Sequence, residues 1–308
     1  VHFCVIMDGN TFPQPSGTSH PWSGAAWQSF VLRYNGYFQR ADYETTDECR
    51  PLVFLLMTPT SAKTLFGGAA QFGTFLRAWA AAATARPHFV LMYAWNKSFV
   101  DALGVDSVSA YAIFPRKING SFSELQQQQQ QTWDEWTVVT DVVPIASTGW
   151  DPRDRAGGCN NPKCTQQPCE GPWWIQRPTP KQIVETVRAA VDWACGRPKQ
   201  SRTRRALVYA WNENTEGGWL VPTLAEGNVR LDSLWKATGH LNGSWSCTSI
   251  HAMLPDTSQL PDDKTGGLAY MKALDKNFLQ HHVTVDPEAP LRLELELAAL
   301  DKEPSRSS

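Results

Sequence analysis

The segment 205-RALVYAWNENTEGGWLVPT-223 carries two carboxylates three residues apart, Glu213 and Glu216, set among Trp, Asn and Gly. It opens as an apolar run, Ala206 to Trp211, which predicts a buried strand ending at Asn212 and Glu213. The turn Asn214-Thr215 then brings Glu216 back over the same opening, with Gly217 and Gly218 letting the backbone bend. Two carboxylates flanking a glycosidic bond can cleave it: one holds a proton for the departing oxygen, and the other acts as base or nucleophile. A bare Glu-x-x-Glu is usually a solvated loop. Here the pair follows a buried strand, with Trp211-Asn212 before it and Gly217-Gly218-Trp219 after it.

Other polar and aromatic residues collect at the same kind of place, just after apolar runs. They are Asp8 and Asn10, Trp95 and Asn96, and Trp150, Asp151 and Arg153; with Trp211, Asn212 and Trp219 they form the expected substrate-binding set. The chain holds 14 Trp, and sugar clefts set flat aromatic faces against the apolar faces of pyranose rings.

Those residues need a scaffold. Six apolar runs precede them: 1-VHFCVIMD-8, 51-PLVFLLM-57, 88-HFVLMYAW-95, 107-SVSAYAIF-114, 142-VVPIAST-148 and 205-RALVYAW-211. Most are apolar on consecutive residues, the pattern of parallel strands covered on both faces. Helices are predicted between them, over about 25–40, 68–85, 121–136 and 180–196. Thr179-Pro180-Lys181-Gln182 and Ser121-Phe122-Ser123-Glu124 read as capping boxes. The glutamine run Gln126 to Gln131, inside the third helix, reads as a low-complexity expansion without function. Repeated βα units predict an α/β fold. No glycine-rich phosphate loop follows the first strand, and the polar residues gather after strand ends, so a (β/α)8 barrel is favoured over a nucleotide-binding sheet.

Only six units are visible where eight close a ring. The expectation is an incomplete barrel over 1–241, strands three to eight, with the first two units preceding Val1. Expressed alone, such a piece would aggregate through its open edges. Residues 242–308 read as a C-terminal extension, with 291-LRLELEL-297 as a strand wet on one face and the last residues disordered.

A net charge of -2 gives no reason to expect nucleic acid as a partner, and no apolar run spans a bilayer. Of the seven Cys, Cys159, Cys164 and Cys169 share one loop; their spacing and the lack of a nearby His argue against zinc, leaving a disulfide-tied or merely cysteine-bearing loop. No metal and no cofactor are expected. Sequons at Asn96, Asn119 and Asn242 fit a secretory route.

The motif AWNENTEGGWLVP resembles the final-strand signature Trp-Asn-Glu-Trp-x-Glu-Gly-x-x-Leu-Glu-Pro of the WbsX-like group, relatives of the family 99 endo-α-mannosidases. TGWDPRDR, 148–155, resembles that group's Gly-Trp-Asp-Asn-x-x-Arg segment, and RPTPKQIVETVRAAVDWA its following helix. FCVIMDGN and CRPLVFLLMTP resemble the third and fourth strands. The likeness covers about Val1 to Leu234. It implies a (β/α)8 barrel acting on oligosaccharide or polysaccharide, with Glu213 as base on the sugar's own 2-hydroxyl and Glu216 as general acid and base. Trp150, Asp151 and Arg153 would line the donor-sugar subsite. Asn214 and Val221 depart from the pattern, as does Asp8-Gly9-Asn10. The group is also labelled glycosyltransferase, although this chain shows no Asp-x-Asp motif; a catalytically dead sugar-binding protein is the third reading.

Overall fold

The computed structural model describes residues 4–13, 25–153 and 173–238. All six apolar runs become strands: β1 (Val5–Met7), β2 (Leu52–Leu55), β3 (His88–Leu91), β4 (Ser107–Val108), the split pair β5 (Asp141–Val142) and β6 (Ile145–Ser147), and β7 (Leu207–Tyr209). Every neighbouring pair is parallel, and the five-stranded sheet runs β1-β2-β3-β4-β5 without reversal, while β6 pairs with β7. Pro144 explains the split. It has no N–H to give the ladder, so Val143 still donates to Val108 at 2.9 Å, whereas beyond the proline the segment turns to β7, Leu207 donating to the Pro144 carbonyl at 2.8 Å. The order is that of an arc wound in one direction. Among the described residues it does not close into a ring: no strand pairs with the free edges of β1 and β7, where Ile6 is 56% and Val208 36% exposed.

Consecutive apolar residues in β2 and β3 are buried because both faces are covered. Val53, Leu55, Phe89 and Leu91 pack under the helices, while Leu52, Phe54, Val90 and Met92 pack with Val143 on the other face. The helical layer comprises α1 (Ala25–Phe38), α2 (Pro59–Phe66), α3 (Ala69–Ala82), α4 (Lys97–Leu103), α5 (Phe122–Trp136), α6 (Pro180–Gly196) and α7 (Val229–Thr238). Phe12 sits among Phe30, Phe66, Phe72 and Phe75 with ring centroids 5.4–6.4 Å apart, knitting α1, α2 and α3 together. Both capping boxes are present, Ser121 with Glu124 and Thr179 with Gln182.

The glutamine run corrects its compositional reading. Gln129 is fully buried and its Oε1 accepts from the Ser147 amide at 2.8 Å, pinning β6; Gln126 donates to the Gln182 carbonyl and to Thr186, and Gln128 to the Phe114 carbonyl. Composition cannot show this, because helical phase decides which glutamines face inward. Gln129→Leu orphans the buried Ser147 N–H and should cost about 1–3 kcal/mol. Gln130→Leu, on the exposed side, should stay within about 0.5 kcal/mol in the same urea titration.

His88 opens β3 at the opposite end from the carboxylates. It is 4% exposed, with Nε2 2.7 Å from the Ser107 hydroxyl. Burial, helped by the guanidiniums of Arg50, Arg202 and Arg86 and opposed by Asp106, pushes its pKa down to about 4. The unfolded chain therefore binds a proton that the fold refuses, and stability falls as pH drops from about 6.5 towards 4, by about 2–3 kcal/mol from this group. His88→Gln, which keeps an amide near Ser107 but cannot titrate, should flatten that part of the stability–pH curve by about one proton. An unchanged slope would contradict the assignment.

Cys195 on α6 is disulfide-bonded, whereas Cys4 and Cys49 are free thiols. Among the described residues no helix is long and apolar enough to cross a membrane. The cysteine loop at 157–171, the sequon at Asn242 and the run 291–297 lie outside the described residues.

Candidate active site

After Tyr209 the chain passes a cis peptide to Ala210 and enters a short antiparallel hairpin, β8 (Asn212–Glu213) with β9 (Gly218–Trp219). The link is a 3-10 turn, Asn214–Glu216, ended by Gly217 at φ 76°. Glu213 is half-buried and Glu216 is 6% exposed. Both meet one hydroxyl: Tyr111 donates to Glu213 Oε1 at 2.9 Å and lies 3.4 Å from Glu216 Oε2. Those two contacts set both carboxylates against the same phenol oxygen. Tyr209 also donates to Glu216 Oε2. Burial first, and then the carboxylates, push both phenol pKa values well above the ordinary range, so each phenol keeps its proton and acts as a donor.

The turn after β6 lies against this hairpin. The Asp151 amide donates to the Glu216 carbonyl at 2.6 Å. Such closeness requires glycine on both sides: a Cβ on Gly149 would fall 2.0 Å from the Gly217 carbonyl oxygen, and one on Gly217 would fall 2.4 Å from the Asp151 nitrogen. Asp151 chelates Arg153 through two bonds of 2.8 and 2.7 Å, and that guanidinium lies 3.5 Å above the Trp174 ring. Trp150 packs edge-on to Phe114 at 4.5 Å and tilted to Tyr209 at 5.8 Å.

Of the expected set, Glu213, Glu216, Trp150, Asp151 and Arg153 come together. Trp211 stands beside them, 53% exposed, with Asn212 exposed on the hairpin. Trp95 is 49% exposed and its ring rests 5.0 Å from Trp136. The Asn96 side chain caps α4, its oxygen accepting from the Phe99 amide at 3.0 Å. Asp8 is exposed and accepts from the Thr11 hydroxyl at 2.8 Å; Asn10 lies in the same turn, its side chain outside the described set. Trp219 carries the guanidiniums of Arg230 and Arg177 over its ring, at 3.9 and 4.8 Å. Sequence reasoning missed Tyr111 and Tyr209, each a tyrosine in the C-terminal half of an apolar run. Among the described residues no group of three His, Cys, Asp or Glu could hold a metal ion.

No family model matches the chain, and no curated protein matches it. Its structural neighbours are GH99 endo-alpha-mannosidases. The enzyme from Bacteroides thetaiotaomicron in complex with BIS-TRIS-propane aligns over 91% of this chain and 72% of its own, with a TM-score of 0.45 and 12% identity. A second structure of the Bacteroides thetaiotaomicron enzyme aligns over 89% of this chain and 67% of its own, with a TM-score of 0.40 and 13% identity.

Proposed function

We propose that this chain is a glycoside hydrolase acting on oligosaccharide or polysaccharide, its strands forming an arc of a (β/α)8 barrel and its chemistry carried by Glu213 and Glu216. The supporting observation is the shared Tyr111 hydroxyl: two acidic side chains from one hairpin converge at the C-terminal ends of parallel strands, beside the Asp151 turn. Glu216, whose Oε2 accepts from Tyr209 and lies within reach of Tyr111, serves as the acid that gives a proton to the departing glycosidic oxygen. Glu213, steadied by Tyr111, removes the proton from the sugar's 2-hydroxyl. That oxygen attacks the anomeric carbon as the glycosidic bond breaks; water, deprotonated by Glu216, then attacks the anomeric carbon while Glu213 returns its proton to the 2-oxygen, opening the strained ring with net retention. Trp150, Trp211 and Trp95 offer ring faces to the sugars. The disulfide at Cys195 fits a chain that works in an oxidising compartment.

The test incubates the protein with 4-nitrophenyl glycosides and unlabelled oligosaccharides and follows the first-formed anomer by NMR. Hydrolysis with retention is expected. Nucleotide released from a sugar-nucleotide donor, without hydrolysis, would make it a transferase; binding without turnover would make it a sugar-binding protein.

A further inference from the structure

Arg230 is expensive to keep where it is. It lies in the first turn of α7, where the helix dipole disfavours a cation, and it is 2% exposed. Burial pushes its pKa down to about 10, and its Nη2 has no hydrogen-bond partner. A well-packed apolar side chain at such a site is often neutral or stabilising. Fold stability alone therefore does not account for it.

Its contacts suggest what does. Nη1 reaches two carbonyls, Thr148 and Trp219, each at 3.3 Å. Thr148 precedes Gly149 and so begins the Asp151 turn, while Trp219 ends the hairpin that carries the carboxylates. Nε is held by Glu226 at 2.8 Å, and Glu226 is anchored independently by Arg177 at 2.9 Å. The guanidinium plane also lies against Trp219. The same two turns also meet at the glycine contact and the Asp151–Glu216 backbone bond.

We propose that Arg230 is a positioning residue: it clamps the turn after β6 to the β8–β9 hairpin and thereby sets where the Glu216 carboxyl stands relative to Glu213. A catalytic role for the clamp rests on the hydrolase reading above. Arg230 is buried behind the two turns, so its loss moves the acid without removing it. A displacement of about 1 Å can cost 10²-fold in rate.

Arg230→Lys keeps the charge but loses the fork, and Arg230→Met removes the charge while Glu226 keeps Arg177. Both should lower kcat on a 4-nitrophenyl glycoside by about 10–100-fold with KM within about 3-fold. Hydrogen exchange at the Asp151 and Gly217 amides should quicken at least about tenfold, while amides of β2 and β3 hold their protection. Arg177→Met, which removes the other guanidinium at Glu226 and Trp219, should leave kcat within about 3-fold. Wild-type kcat in Arg230→Met, or exchange that rises equally throughout the sheet, would overturn the proposal. The exchange measurement needs no turnover, so it decides the clamp separately. Glu216→Gln turning over at the wild-type rate would sink the hydrolase reading instead.

Discussion

Glu216→Gln is expected to lower kcat/KM, which reports the ring-forming step, by about 10³-fold on an oligosaccharide but only about tenfold on a 4-nitrophenyl glycoside, with substrate binding kept within a few-fold. A sugar is a poor leaving group and needs a proton, whereas nitrophenolate leaves without one. Glutamine still accepts from Tyr209, so the turn and its hydrogen bonds should survive. Glu213→Gln should lose about 10³-fold on both substrates, because removal of the proton from the 2-hydroxyl is needed whatever departs. The contrast between substrates distinguishes the roles. If the larger loss on the activated substrate belonged to Glu216, the two assignments would be exchanged; equal wild-type turnover in both variants would remove the pair from catalysis.

Gly149→Ala is the structural counterpart. The added methyl group would sit 2.0 Å from the Gly217 carbonyl oxygen, and φ at this position is 150°, a conformation that L side chains rarely adopt. The neighbour is backbone of the carboxylate-bearing turn, not the end of a flexible side chain, so relief requires the two turns to separate. Turnover should fall by about 10²-fold or more, with a stability cost of about 2–4 kcal/mol from combined backbone strain and overpacking. Activity and urea unfolding measured together check this. A variant that retains wild-type kcat and midpoint would show that the turns need not touch.

Much of the scaffold is legible in the sequence because burial leaves a direct trace. Val53 and Phe54 face opposite layers, so both must be apolar, and the run 51–57 reads as a strand without alternation. Helices α5 and α6 declare their starts through side chains that can reach their own backbone. A cap can also be ambiguous in the sequence. Helix α4 is seven residues long, and its cap, Asn96, is equally plausible as a sugar ligand until the Phe99 amide is seen to take its oxygen.

The carboxylate pair was legible for a similar reason: Glu213 and Glu216 are polar residues immediately after a buried strand, within one short turn. Tyr111 and Tyr209 were not, since a tyrosine in an apolar run packs like its neighbours and only tertiary contact shows where the hydroxyl goes. Arg230 lies in the helix after the hairpin, and its meaning depends on two carbonyls, one of them 82 residues earlier in the chain. Inside the glutamine run, six identical letters conceal one fully buried amide, because phase along α5 is a property of the helix and not of the composition.

The most direct test is a crystal structure of the Glu216→Gln protein soaked with an oligosaccharide that the wild type cleaves. Bound sugar should straddle residues 213 and 216, with the glycosidic oxygen about 3 Å from the glutamine amide and the 2-hydroxyl about as close to Glu213. Sugar held elsewhere on the surface, or the two side chains facing different hollows, would contradict it.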